Sequence, residues 1–184
     1  MLEAIRADLA FVTRRFKKSP ARTIAASRGF HALVCYRLAH WFWEKRVPLL
    51  PLLLTRLINI LYAIDIDCRC RIAGGVSIIH GIGTVIGGGV EIGSGTLIYH
   101  GVTLGVKGSR KGDGFPKVGA DCILGAGAKI FGGITVGDGS VIGANVVLTE
   151  SVPPASMVKV PPPLISNLAV AVRPSVPPPQ VVAA

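Results

Sequence analysis

Residues 65–102 read DIDCRCRIAGGVSIIHGIGTVIGGGVEIGSGTLIYHGV, and residues 118–148 read VGADCILGAGAKIFGGITVGDGSVIGANVVL. An aliphatic or small residue returns at every sixth position: Ile66, Ile72, Ile78, Thr84, Val90, Thr96 and Val102, then Val118, Leu124, Ile130, Val136, Ile142 and Leu148. A period of six fits neither an α-helix nor a simple alternating strand. It fits a parallel β-helix with a triangular coil of three hexads, in which each sixth side chain points inward and stacks on its neighbour one coil away. Val102 and Val118 lie sixteen residues apart, so VKGSRKGDGFPK, residues 106–117, is expected to leave the coil as an external loop. Loops held out by a rigid scaffold commonly carry function.

Upstream, residues 3–18 read as an amphipathic helix with Ile5, Leu9, Phe11, Val12 and Phe16 near helical spacing, and Ser19-Pro20 ends it. A second helix starts near Phe30, with Leu33, Val34, Leu38, Trp41 and Phe42 on its broad apolar face and Arg37 and Glu44 elsewhere. His31 and His40 on this helix read as polar surface or structural hydrogen bonds. Residues 47–64, VPLLPLLLTRLINILYAI, have about the length that crosses a bilayer. Pro48, Pro51, Arg56 and Asn59 argue against a span, and the stretch reads as a helix capping the open end of the barrel, with peripheral contact to anionic lipid as a second reading. Val152-Pro153-Pro154 is expected to turn the chain out of the coil into a Pro-rich tail. The divisions are therefore a helical region at 1–64, the coil at 65–154 and the tail at 155–184.

The 184 residues are about one domain's worth. The formal net charge of +10 is clustered in Arg14, Arg15, Lys17, Lys18 and Arg22 and again in Lys107, Arg110, Lys111 and Lys117. No aromatic interleaving or binding motif accompanies it, so no nucleic-acid partner is expected; anionic lipid and phosphate-bearing ligands fit better. Four scattered cysteines give no disulfide framework, and Cys68-Arg69-Cys70 lacks a second ligand pair, so no metal is expected. The N-terminal MLEAIRADLA does not resemble a secretory signal, which makes a cytoplasmic protein the expectation.

Residues 65–148, with GVTLG and the following VPP in order, resemble serine acetyltransferases, and GFHALVCYRLAHWFW at 29–43 resembles the last long helix before that family's barrel. The resemblance implies a left-handed parallel β-helix behind a small helical region, acetyl-CoA as donor, a hydroxyl acceptor, and a homotrimer with its sites between subunits. By position in the motif, His80 is the general base and Asp65 the carboxylate that orients it. The pair lies fifteen residues apart, three short of a full coil, which sets it on adjacent rungs. His100, one coil plus two residues beyond His80, either orients the acceptor or makes a structural hydrogen bond. Gly105, Gly125, Ala126 and Ala144 correspond to the family's small residues along the pantetheine, and a backbone N–H near Gly105 is the expected oxyanion donor. Lys107, Lys117 or Lys129 is expected to meet the coenzyme phosphates, with Lys107 counted among the cofactor-binding residues and no choice made between the three.

The acceptor side departs from the family. Its acid before the catalytic His is Ile79, its Arg-His pair is Gly114-Phe115 before Pro116, and its Asp-Pro step is Ser19-Pro20. Ile79 and Phe115 are thus acceptor-side residues of changed character. The chain also resembles exopolysaccharide and colanic acid acetyltransferases, in YRLAHW and in HGVTLG without the Arg-His pair. On these grounds the expected acceptor is a sugar hydroxyl, including lipid-linked sugars. O-acetylation of L-serine is the alternative, and a non-catalytic scaffold a third reading. With only about sixty residues before the coil, a single trimer is favoured.

Overall fold

The computed structural model describes residues 1–108 and 114–165. Among these residues the coil is built from fourteen short parallel strands. In chain order these are β1 (Asp65–Ile66), β2 (Arg71–Ile72), β3 (Ser77–Ile79), β4 (Val85–Ile86), β5 (Glu91–Ile92), β6 (Leu97–Tyr99) and β7 (Thr103–Gly105), then β8 (Lys117–Val118), β9 (Ile123–Leu124), β10 (Lys129–Phe131), β11 (Thr135–Val136), β12 (Val141–Ile142), β13 (Val147–Leu148) and β14 (Met157–Val158). They form three sheets, β1-β4-β7-β10-β13, β2-β5-β8-β11 and β3-β6-β9-β12-β14, wound as a left-handed parallel β-helix.

Every hexad residue named above is buried, but the strand register is not the one the period of six suggested. Ile66 pairs with Ile86 and Ile78 with Ile98, twenty residues on, whereas Ile86 pairs with Leu104 after eighteen. The first coil is therefore two residues longer than a regular one. Beyond Ile78 the strand positions are Ile86, Ile92, Ile98 and Leu104, and Thr84, Val90, Thr96 and Val102 occupy the second inward position of each hexad. Because each hexad buries residues i and i−2, a two-residue insertion passes the repeat from one inward column to the other without interrupting it. The inward Thr96 is satisfied by donating its hydroxyl to the Gly119 carbonyl at 3.0 Å. At the far end, Val152-Pro153-Pro154 does not lead the chain out. Val152 bridges to Val136, and β14 then adds another rung on β12.

Four helices precede the coil: α1 (Leu2–Phe16), α2 (Pro20–Ala26), α3 (Arg28–Glu44) and α4 (Leu50–Tyr62). Ser19 and Ser27 cap α2 and α3, their hydroxyls accepting the Arg22 and Phe30 backbone N–H groups. The most buried residue of α1 is an acid, not one of its expected apolar positions: Asp8 is 0% exposed. Its carboxylate accepts hydrogen bonds from Arg37 of α3 (3.2 Å from both Nε and an Nη) and from the backbone N–H groups of Gly75 (2.8 Å) and Val76 (3.0 Å). Arg37 also donates to the Ile72 and Ala73 carbonyls, so a buried ion pair fastens α1 and α3 to the coil before β3. Tyr36 donates to the Cys70 carbonyl at 2.7 Å, and His40 Nδ1 lies 2.7 Å from the Cys68 carbonyl. His31 bridges the Ile24 carbonyl and the Tyr62 hydroxyl. Gly29 lets α3 settle on β3, for a Cβ there would come within 2.8 Å of the Ile78 carbonyl carbon. α4 packs on α3 and β1 through Ile58 and Thr55, capping the first coil as the sequence suggested. Among the described residues no helix is long and apolar enough to cross a membrane.

Candidate active site

The site residues are set by the corner where the third sheet turns into the first. The two extra residues of the first coil fall here, between Ile78 and Ile86, and their turn puts His80 at φ 62° ahead of Gly81 at φ 76°. A non-glycine residue in the left-handed region is uncommon and aims its side chain differently from its neighbours. Ile79 pairs with Tyr99, so the next residues, His80 and His100, are equivalents on successive coils. Their rings lie 6.1 Å apart, edge to face at 68°. The insertion thus turns the "one coil plus two" spacing into an edge-to-face imidazole pair.

The same corner continues along the axis. Gly101 N–H donates to Ile82, Gly127 to His100 and Asn145 to Ala126, each at 2.9 Å, which lines up Ile82, His100, Ala126 and Ala144 on one edge, with the His80 ring beside His100. Lys129 reaches this edge from β10, donating to the Gly101 carbonyl at 2.5 Å. Gly125 has a reason internal to the coil, since a Cβ there would lie 2.6 Å from Ala144 N. Gly105 does not: a Cβ would meet only the Phe131 ring, at 3.8 Å.

Three expected site residues lie elsewhere. Gly105 and Lys107 sit at the far end of β7, across the first sheet from His80, and Lys107 packs near Gly132. The Phe115 ring covers the Gly87–Gly89 turn, where a Cβ on Gly87 would lie 2.6 Å from it. Of the loop, residues 109–113, with Arg110 and Lys111 among them, fall outside the described residues. Lys117 is on the second sheet, 3.5 Å from Glu91.

Asp65 starts β1, exposed, with its N–H donating to Thr84 at 2.9 Å. Among the described residues no hydrogen bond joins it to His80, and its cleft of about 310 Å³ is shared with Arg56, Asn59, Asp67 and Arg69. Because the coil between them has twenty residues, the pair falls five short of a full turn. Asp67 is committed elsewhere, to Arg69 at 2.6 Å; those hydrogen bonds hold its carboxyl below the usual range.

His80 opens onto a cleft of about 630 Å³ between the coil edge and the helices, lined also by Ile79, Tyr99, Phe16, Lys18 and Arg28. Lys18 Nζ stands 5.6 Å from the Phe16 ring centroid. The sequence reading placed Lys18 only in a basic cluster and did not single out Arg28. Both come from helix ends that fold over the barrel edge, outside the hexad motifs. Among the described residues no group of three or more His, Cys, Asp or Glu could hold a metal ion, and burial pushes the Cys70 thiol up to about 12.

Residues 117–150 match the hexapeptide repeat of succinyl-transferase. A serine acetyltransferase of Synechococcus elongatus is 36% identical over 158 residues, covering 83% of this chain and 64% of that protein. One from Mycobacterium tuberculosis is 41% identical over 160 residues, covering 86% and 70%. The crystal structure of Neisseria gonorrhoeae serine acetyltransferase in complex with serine superimposes with a TM-score of 0.80 at 32% identity, over 86% of this chain and 66% of that one. The chain therefore spans about two thirds of the length of these relatives. They overturn the sugar-acceptor expectation in favour of the serine alternative. That expectation rested on the motif positions Ile79, Gly114-Phe115 and Ser19 and on the resemblance to exopolysaccharide and colanic acid acetyltransferases, and left out the cations that helices bring to the His80 cleft. On its hexad coil, its capping helices and these likenesses, the chain belongs to the serine acetyltransferase family.

Proposed function

We propose that the protein transfers the acetyl group of acetyl-CoA to the hydroxyl of L-serine. The observation that carries this reading is the corner where the His80 ring stands beside His100, itself in line with Ala126 and Ala144, at a cleft lined by two cationic side chains. His80 takes the serine hydroxyl proton as the oxygen attacks the thioester carbonyl; the tetrahedral oxyanion collapses, the C–S bond breaks, and the imidazolium returns the proton to the coenzyme thiolate. Asp65 orients the imidazolium once the acceptor draws the two side chains together. Arg28 and Lys18 hold the serine carboxylate in place of the family's missing Arg-His pair. The coenzyme runs along the small residues of the corner, with Lys129 near its phosphates.

Gly105, Lys107 and Phe115 belong to the same site if it forms between two copies, because in one chain they lie across the first sheet from His80. A homotrimer would bring one copy's histidine corner to the next copy's loop edge. The test is thiol release from acetyl-CoA. Saturable turnover with L-serine, lost in His80→Ala while coenzyme A binding persists, is expected; wild type that releases no thiol with L-serine overturns the reading. Arg28→Glu is expected to raise KM for serine at least about tenfold, the effect of losing one charge-assisted contact.

A further inference from the structure

We propose that the outer face of α4 is a membrane-docking surface for anionic lipid. Leu49, Leu52, Leu53, Leu57, Ile60 and Leu61 recur at helical spacing and are 46–79% exposed, while the opposite face, with Pro51, Thr55 and Ile58, is buried. Six large aliphatic side chains on one outward stripe, rimmed by basic residues, form the kind of apolar patch that marks an interaction surface. A helix of thirteen residues is about 20 Å long. That is too short to span a bilayer and suited to lying in its interface.

Charge selects the occupant. Residues 45–62 contain no Asp or Glu but hold Lys45, Arg46 and Arg56. Long basic side chains bury their stems in an interface and leave their heads at the phosphates. The only two tryptophans of the chain, Trp41 and Trp43, are exposed just before the turn into α4, and such rings favour the headgroup level. A second copy of this chain fits less well. Arg56 stands near the middle of the stripe, so a two-fold pairing about its midpoint would set Arg56 beside its own copy, between two chains of net charge +10.

The test is flotation of the full chain with phosphatidylglycerol/phosphatidylcholine vesicles and with phosphatidylcholine alone, at low and high salt, beside Leu57→Glu and Ile60→Glu. Both variants lie on the exposed stripe, and a wild-type thermal midpoint confirms that each folds. Wild type is expected to float with anionic vesicles, more weakly with neutral ones and at high salt. Each glutamate is expected to weaken partitioning at least about tenfold, since each removes a large aliphatic contact. Equal flotation of wild type and both variants overturns the proposal. So does a wild type that ignores anionic vesicles, whether it remains a single species or shows self-association that the glutamates abolish. Thiol release on free L-serine is read separately and does not bear on the outcome.

Discussion

Replacing Asp8 by Ala removes one half of a buried ion pair, and the surrounding contacts set the size of the effect. The carboxylate is 0% exposed and accepts four hydrogen bonds at 2.8–3.2 Å. Burial is the largest influence and holds this carboxyl above its ordinary range, against the downward pull of the Arg37 charge and of the hydrogen bonds from Arg37, Val76 and Gly75. Without Asp8, a guanidinium 7% exposed keeps the Ile72 and Ala73 carbonyls and loses its counter-charge. Breaking a buried pair in this way costs about 3–5 kcal/mol. For a chain of this size that is a fall of roughly 6–20 °C in Tm, at about 2–4 °C per kcal/mol. Thermal and urea unfolding followed by circular dichroism measure it. The Asp8→Ala/Arg37→Met double variant should be more stable than Asp8→Ala, because it no longer buries a lone charge. A loss under about 1 kcal/mol, together with additive effects in the double variant, would refute the reasoning.

Gly29→Ala places a methyl against the Ile78 backbone one residue before Ile79-His80, and overpacking of about 1–3 kcal/mol outweighs the roughly 1 kcal/mol that Ala gains in a helix. Stability and kcat should both fall; a variant as stable as wild type contradicts the close packing. Gly105→Val is expected to leave Tm within about 2 °C, its Cβ having only the Phe131 ring nearby, and to raise KM for acetyl-CoA; unchanged KM removes Gly105 from the coenzyme path. Asp67 titrates below 3.8 because of Arg69, so its stabilisation is present above 3.8 and lost as pH falls through the lowered value. Carbon-13 titration of Arg69→Ala should show that midpoint rising toward 3.8, and an unmoved midpoint would rule out the pair as the cause.

The coil was legible because its period is imposed by geometry: each inward column must be filled by small or aliphatic groups whatever the surface does. The two-residue insertion was not legible, since Thr84 and Val90 are as apolar or small as Ile86 and Ile92, and either column satisfies the pattern. That slip hid the edge-to-face contact of His80 with His100, which only the register shows. Asp8 and Arg37 escaped for a related reason. Each reads as a polar position on a helix, and nothing in one segment announces a partner twenty-nine residues away. Lys18 and Arg28 were likewise ordinary basic residues until α1 and α3 folded over the barrel edge. The capping role of α4 was readable from its length and prolines, but which of its leucines would face outward was fixed by packing on α3 and β1.

The helices sit at one end of the coil, on β1 and β3, and no described helix packs on β13 or β14. Each rung touches only the rungs beside it, so the order of the strands in sequence is also their order along the axis. During synthesis the helices leave the ribosome before the coil and can close over β1–β3 while the later rungs are still being made, giving each of them a finished edge to add to. The rungs made last, those carrying Ala126 and Ala144, are then the ones that open first on heating, and amide exchange should grade from slow at β1 to fast at β14. His80 lies near the slow end, so the proposed catalytic corner is expected to outlast the proposed path of the coenzyme.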